Sequence, residues 1–184
     1  MWRKRQGIKD DSERVITDQT RARERTMNRA VRLLAAKPRS IGELRERLLE
    51  KNWTNSSIVD AVIEKLSEYK YLDDEQFAVD LAVSKLRQRP QGRRRLKQTL
   101  SQKKLGKETV DHALTTAFEK IPETELLDQA IEKRLRLKGI PETREDTKKF
   151  YDHLMRRGFS YDLVAMRLRD IAKADLSQDQ NHVD

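Results

Sequence analysis

Apolar side chains recur along residues 26–174 at intervals of three and four residues, which is the spacing of helices that bury one face. The alternating pattern typical of half-buried strands is absent from this part of the sequence. We therefore predict an all-α protein. The flanks lack the pattern: residues 1–25 predict a flexible basic N-terminal arm, and residues 175–184 predict a frayed C-terminal tail.

The apolar pattern occurs three times along the chain. Trp53, Leu105 and Phe159 hold the same place in each copy, with apolar residues five and nine positions before and after each of them. The residues that share these places are Leu44, Leu96 and Phe150; Leu48, Leu100 and Leu154; Ile58, Val110 and Val164; and Val62, Leu114 and Leu168. Such self-similarity predicts a repeat protein.

Each copy predicts three helices separated by helix-breaking residues. Pro38 and Pro90 stand at corresponding breaks in the first two copies, and Pro122 separates the second copy from the third. In the first copy the helices are predicted over residues 26–36, 40–51 and 55–68. The predicted repeats are residues 26–72, 73–121 and 122–174. Because each has only a thin apolar stripe to bury, we predict an elongated array of three tandem three-helix repeats.

The positive charge of the chain is concentrated in the second repeat. The 184 residues carry 40 Lys and Arg against 31 Asp and Glu, a net charge of +9. Residues 85–104 hold nine of the basic residues and no acidic one, so the remainder of the chain is formally neutral. The nine are Lys85, Arg87, Arg89, Arg93, Arg94, Arg95, Lys97, Lys103 and Lys104. This local excess predicts a docking surface for a polyanion.

The position of two of these arginines strengthens that prediction. Leu96 and Leu100 are predicted to face the core, which leaves the basic residues beside them facing outward. Arg93 and Arg94 fall at a predicted helix N-terminus, where the helix dipole disfavours cations. An external anion would offset this cost, so we favour binding over the alternative of a solvated charged face.

The large apolar residues at the repeat positions have two interpretations. Trp53, Leu105 and Phe159 are either core residues or platforms on which nucleic-acid bases stack. Their identical place in the repeat favours the core. Trp2, in the basic arm "MWRKR", either stacks on a base or partner or belongs to a mobile chain end, and we favour the mobile end.

No pattern in the sequence predicts catalysis, a metal or a cofactor. Asp73, Asp74 and Glu75 are adjacent carboxylates, but they suit the start of a helix better than a metal site, since no histidine or distant carboxylate completes a ligand set. The three histidines are scattered, there is no cysteine, and no glycine-rich phosphate loop is present. We therefore predict a protein that is not an enzyme. The sequence has no long apolar run, which predicts no membrane span and a cytoplasmic protein.

Three stretches resemble the signatures of the RecX family of bacterial recombination regulators. They are "YLDDEQFA" (71–78), "RQRPQGRRRLKQTLSQKKLGKETV" (87–110) and "LMRRGFSYDLV" (154–164). The resemblance covers roughly residues 26–173 and is most specific in the second repeat. The matching residues there are Tyr71, Leu72, Asp73, Asp74, Phe77, Pro90, Gly92, Arg95, Leu96 and Leu100. One departure is Lys104, which stands where the family commonly has a turn glycine.

The resemblance implies a function as well as a fold. RecX proteins are tandem arrays of three-helix units that bind the RecA recombinase, lodge in the groove of the RecA–DNA filament and restrain strand exchange, ATP hydrolysis and co-protease activity. This implies an inhibitor of RecA in DNA repair, DNA recombination and the SOS response, acting as a monomer. It also implies contact with single-stranded or double-stranded DNA without sequence preference.

Two other functions fit the pattern of helices and charge. A sequence-specific helix-turn-helix protein reads bases with the second helix of its pair, but the third helix of the second repeat, "KETVDHALTTAF", is not basic. A protein-only helical scaffold would use the basic residues to hold acidic partners.

Overall fold

The computed structural model describes residues 10–180, with the backbone alone for Ser12 and residues 171–180. This part of the chain forms one short 3-10 helix and nine α-helices, and it contains no strand, so the predicted all-α class is confirmed. The 3-10 helix is Asp11–Glu13, and the α-helices are α1 (Gln19–Ala36), α2 (Ile41–Leu49), α3 (Ser56–Glu68), α4 (Asp74–Gln88), α5 (Arg93–Ser101), α6 (Lys107–Lys120), α7 (Glu123–Lys138), α8 (Arg144–Arg156) and α9 (Tyr161–Gln180). None of the helices described is long and apolar enough to cross a membrane.

The first helix begins within the segment predicted as an arm. Asp18 caps α1 by accepting a hydrogen bond from the backbone N–H of Arg21 at 2.9 Å, and Ala22 is buried on the inner face of the helix. Ahead of the helix, the carboxylate of Asp11 accepts bonds from the N–H and the hydroxyl of Ser56 at 2.9 and 2.6 Å. The predicted arm is therefore wrong for residues 10–25, and its first nine residues, Trp2 included, lie outside the described residues.

The C-terminal end differs in the same way. Helix α9 continues to Gln180, so the predicted tail begins inside a helix. Residues 181–184 lie outside the described residues.

The repeat positions form the core that the apolar pattern predicts. Helices α1, α2 and α3 pack together, and their repeat residues Leu44, Leu48 and Ile58 are buried. The corresponding residues of the later repeats, Leu96, Leu100, Leu154 and Val164, are buried as well. Burying a leucine or valine side chain of this kind contributes about 1.5–3 kcal/mol, so these positions fix which face of each helix is turned inward.

The three corresponding residues Trp53, Leu105 and Phe159 are buried to different extents. Phe159 is fully buried, as predicted, but Trp53 and Leu105 are only half-buried. Beside Trp53, Thr54 is buried and accepts a hydrogen bond from the hydroxyl of Thr26, and Asn55 caps α3. The prediction of a core residue therefore holds fully for Phe159 alone.

The acidic cluster at the start of α4 has the structural role predicted for it. Asp73 caps α4 by accepting from the N–H of Gln76 at 2.9 Å. Asp74 accepts from the N–H of Ile41 at 2.8 Å, at the start of α2, and Glu75 accepts from the hydroxyl of Thr109 at 2.6 Å. The three carboxylates thus point to different partners, and no group of metal-ligating side chains occurs in the described part of the chain.

The chain divides into two compact units that cut across the second predicted repeat. The first unit comprises the described residues up to Ala78 together with Ser101–Thr109, and the second comprises Val79–Leu100 and the described residues from Val110 onward. The turn between α5 and α6 therefore belongs to the first unit, while the N-terminus of α5 belongs to the second. The boundaries of the three repeats stay a prediction.

Candidate polyanion-binding surface

The end of α4 and the beginning of α5 present most of the predicted binding residues on the outside of the second unit. Leu86, Leu96 and Leu100 are buried and fix the inner faces of the two helices. Five arginines consequently project outward and are exposed: Arg87, Arg89, Arg93, Arg94 and Arg95. We call these five residues the α4–α5 arginine surface. Lys85, one turn earlier on α4, is half-buried.

The N-terminus of α5 is capped from within the protein. The carbonyl of Arg157 accepts from the N–H of Gly92 at 2.9 Å, and the carbonyl of Gly158 accepts from the N–H of Arg94 at 3.2 Å. The carboxylate of Glu123 accepts from the N–H of Arg93 at 2.8 Å. Three of the amides that could attract an anion at this helix N-terminus therefore already have acceptors within the protein.

This capping corrects one step of the sequence argument. An external anion was predicted in order to offset the helix dipole beside Arg93 and Arg94. Instead, the C-terminal carbonyls of α8 and the carboxylate of Glu123 supply that negative charge. An external anion would consequently be bound by the arginine side chains rather than by the end of the helix.

Three of the nine predicted residues already have carboxylate partners. Lys97 pairs with Asp111 at 2.7 Å in the second unit. In the first unit Lys103 pairs with Glu43 at 2.8 Å, and Lys104 pairs with Glu46 at 2.7 Å. Lys97 and Lys104 are exposed and Lys103 is half-buried, and the charge of each lysine is offset by its carboxylate partner.

The α4–α5 arginine surface and Lys85 form no ion pair with a carboxylate of residues 10–170. Two of the five arginines make other contacts. The guanidinium of Arg93 lies over the ring of Phe118, 5.1 Å from its centroid, and Arg95 donates to the side-chain oxygen of Gln98 at 3.2 Å. Neither contact neutralises a guanidinium group, so the surface carries a net positive charge that only Glu123, beside the backbone of Arg93, offsets in part.

A second group of arginines extends the positive charge around His153. Arg157 donates to Nε2 of His153 at 3.2 Å and to the carbonyl of Pro90 at 2.9 Å, which ties the end of α8 to the loop between α4 and α5. The pKa of His153 lies below its usual range because the ring is partly buried and because Arg157, Arg134, Arg156 and Arg89 repel its protonated form, in that order. Burial and the charge of Arg89 also lower the pKa of Arg157.

This group is not predicted from the sequence. The pair Arg156 and Arg157 stands within the "LMRRGFSYDLV" stretch, but the charge count finds a local excess of basic residues only in residues 85–104. Only the fold brings α8 next to the loop that carries Arg89. The sequence offers one signal for this group, which is the glycine that follows the two arginines. Gly158 lies against the backbone of α5, an approach that only a residue without a side chain allows.

The comparison with known families identifies this arrangement of helices. Residues 27–66, 73–114 and 122–166 match the family models described as the first, second and third three-helix domains of RecX. The chain belongs to the RecX family. The tandem three-helix repeats predicted from the apolar pattern are thereby confirmed.

Individual RecX proteins are similar along most of their length. The protein named Regulatory protein RecX from Chlorobaculum tepidum is 33% identical over 139 residues, which is 75% of this chain and 82% of that protein. The one from Prosthecochloris aestuarii is 30% identical and covers 80% of this chain and 93% of its own. The Bacillus subtilis relative is 29% identical, with 54% of its length matched. These names support a regulatory role.

Solved RecX structures have the same fold. The crystal structure of RecX from Lactobacillus salivarius superposes with a TM-score of 0.74 at 20% identity, covering 83% of this chain and 98% of that one. A second crystal structure, of regulatory protein RecX, gives a TM-score of 0.71 at 22% identity and covers 82% of this chain and 73% of that one.

Proposed function

We propose that this chain is a non-enzymatic inhibitor of the RecA recombinase. It binds in the groove of the RecA–DNA filament and restrains strand exchange, ATP hydrolysis and co-protease activity. Family membership supports a regulatory role, and the resemblance to RecX proteins points to RecA as the partner. The proposal includes action as a cytoplasmic monomer in DNA repair, recombination and the SOS response.

The observation that carries the proposal is the unpaired charge of the α4–α5 arginine surface. A RecA–DNA filament offers phosphates and protein carboxylates side by side. The guanidinium group binds both in a bidentate manner, through two parallel hydrogen bonds. Because Arg87, Arg89 and Arg94 have no described carboxylate partner, they can make such bonds without first breaking an internal ion pair. Contact with DNA through phosphates is independent of sequence.

The proposed inhibition requires no catalytic step. Inhibition of this kind needs only occupancy of the groove, because a bound protein obstructs strand entry and the movements that accompany ATP hydrolysis. The affinity should fall steeply as the salt concentration rises. The logarithm of the association constant, plotted against the logarithm of the salt concentration, should have a slope of about −0.7 for each phosphate neutralised on a single strand.

The test is the ATPase activity of RecA on single-stranded DNA, measured with and without this protein over a series of salt concentrations. We expect inhibition at low salt that weakens steadily as salt rises. An ATPase rate that is unchanged at every salt concentration would contradict the proposal. Protection of one defined duplex site in a footprint would instead support the sequence-specific alternative.

A further inference from the structure

Helix α1, in the first unit, carries a further cluster of positive charge. The charge count along the chain does not reveal it. Its sequence, QTRARERTMNRAVRLLAA, contains five arginines and one glutamate. An open groove of about 390 Å³ runs along one face of the helix. The groove is lined by Arg25, Asn28, Arg29, Arg32, Leu33 and Trp53.

The arginines of this groove are weakly held. Arg25 and Arg32 are exposed and form no ion pair with a carboxylate of the described residues. Arg29 reaches Glu50 only at 3.8 Å, and that carboxylate is held more closely by Arg47, at 2.7 Å. The groove therefore has a net positive charge.

Arg29 also has an unsatisfied donor. Its Nε is buried and has no hydrogen-bond acceptor, and no other buried side-chain nitrogen or oxygen in the described part of the chain lacks a partner. A buried donor without an acceptor is unfavourable, because it has lost its hydrogen bonds to water. Folded proteins rarely keep such a group, and a bound water, ion or ligand group is among the usual reasons.

The groove also contains an aromatic ring in the position that base stacking needs. Trp53 is half-buried, unlike the corresponding Phe159, which is fully buried. The guanidinium of Arg25 lies over the indole, 4.6 Å from the ring centroid. A planar base can take the place of this exposed side chain on the ring, which leaves Arg25 free to contact a phosphate.

We propose that this α1 groove is a binding site for single-stranded nucleic acid, in which one base stacks on Trp53 and the adjoining phosphates contact Arg25, Arg29 and Arg32. Positive charge beside an aromatic platform is the arrangement by which proteins hold single strands without reading their sequence. An acidic peptide would satisfy the arginines but would leave the indole without a stacking partner.

The groove shares no residue with the α4–α5 arginine surface. Its test uses free oligonucleotide and no RecA, so it can succeed or fail independently of the function proposed above.

Tryptophan fluorescence provides a direct test, because the chain has only two tryptophans, Trp2 and Trp53. In a Trp2→Phe variant of the full chain, a short oligodeoxythymidine should quench the remaining emission in a saturable, salt-dependent manner. An abasic oligonucleotide of the same length should bind at least about fivefold more weakly, because one stacked base contributes that much. Absence of quenching, or equal quenching by polyglutamate, would overturn the proposal.

Substitutions in α1 separate the groove from general charge. In the Trp2→Phe background, the pair Arg25→Gln and Arg32→Gln should weaken binding about tenfold, since two charge-assisted contacts are lost. Arg21→Gln with Arg23→Gln is the matched control, because both residues are exposed on the same helix and neither lines the α1 groove. Equal affinities for the double variant and the control, with both proteins folded by circular dichroism, would contradict the assignment.

Discussion

The backbones of Gly92 and Gly158 touch: a Cβ atom placed on Gly92 would lie 2.4 Å from the carbonyl carbon and oxygen of Gly158. A Cβ atom on Gly158 would in turn lie 2.3 Å from the backbone nitrogen of Arg95. This contact seats the turn between α8 and α9 on the N-terminus of α5. The first unit has a similar joint, in which a Cβ atom on Gly42 would lie 2.7 Å from the Cβ of Lys104 and the hydroxyl of Ser40 donates to the carbonyl of Lys103.

Alanine substitutions at four glycines should produce a graded loss of stability. Gly92→Ala should cost about 1–3 kcal/mol, because backbone must move to admit the methyl group. Gly158→Ala should cost about 1–2 kcal/mol more, since its φ of +91° is also unfavourable for alanine. Gly139→Ala, with φ +74° but nothing within 4 Å, should cost about 1 kcal/mol, and Gly106→Ala, whose nearest contact is 3.8 Å away, less than about 0.5 kcal/mol.

Urea denaturation of the four variants measures this order. If Gly92→Ala and Gly158→Ala were as stable as Gly106→Ala, the backbone contact would not exist in solution.

Lys104 has a backbone conformation that suits glycine. Its φ is +56°, in the left-handed region that Gly158 occupies at the corresponding turn. The replacement of the turn glycine of the family therefore leaves the turn geometry intact and imposes a backbone cost of about 1–2 kcal/mol. We expect Lys104→Gly to be more stable than Lys104→Ala by about 1 kcal/mol, because both variants lose the ion pair with Glu46 and only glycine relieves the strain.

The matched control for this prediction is Gln102, which is exposed in the same turn without a positive φ. There glycine should be less stable than alanine, by about 0.5–1 kcal/mol. The same order of glycine and alanine at both positions, in thermal denaturation, would show that the left-handed conformation of Lys104 is not the cause.

The sequence predicts the repeat but not the joints between its copies. Positions such as Leu44, Leu96 and Leu154 follow a helical period, so their burial can be deduced from local spacing. The contact of Gly92 with Gly158 joins residues that are far apart in the chain, and nothing in local spacing specifies it. The same reason accounts for the pairing of Lys97 with Asp111 and for the half-burial of Trp53, which depend on how helices pack.

A count of charge along the chain likewise takes no account of how helices pack. It therefore includes residues whose charge is offset by a partner and overlooks others whose charge is not. Counting charge by segment singled out the five residues of the α4–α5 arginine surface, all of which are exposed, but it could not distinguish Arg94, which has no described carboxylate partner, from Lys97, which has one. It also hid the arginines of α1, because their charge is balanced by acidic residues elsewhere along the chain rather than beside them.

The ion pair of Lys97 gives a prediction within a single helix. Because Asp111 already offsets the charge of Lys97 at 2.7 Å, a phosphate gains little from this lysine, whereas Arg94 is exposed without such a partner. Arg94→Gln should therefore weaken binding to RecA filaments several-fold more than Lys97→Gln. Co-sedimentation with filaments at one fixed salt concentration compares the two, and a larger loss for Lys97→Gln would be inconsistent with this distribution of charge.

Binding should also depend on pH through His153. Burial and four arginines lower the pKa of this ring in the free protein, because they disfavour its protonated form. Phosphates that neutralise the nearby arginines would raise the pKa of His153 toward its ordinary value of about 6.5. Binding then takes up a proton, so affinity should increase as pH falls from about 7.5 to about 5.5.

Nuclear magnetic resonance can follow this proton directly. The pKa of His153 should rise on addition of an oligodeoxythymidine. A His153→Gln variant should lose the part of the pH dependence due to this ring. An unchanged pKa of His153 at saturating oligonucleotide would mean that phosphate does not approach this end of α8.

The proposed function requires that the α4–α5 arginine surface restrains RecA. The most direct measurement is RecA ATPase on single-stranded DNA in the presence of the variant Arg87→Glu with Arg94→Glu. The helix dipole disfavours glutamate at the end of α4 but favours it at the start of α5, so the fold should be retained. The control carries the same change of charge on exposed residues of α7, Lys133→Glu with Arg136→Glu. We predict that the first variant loses inhibition and that the control keeps it; equal inhibition by the two folded variants would contradict the account.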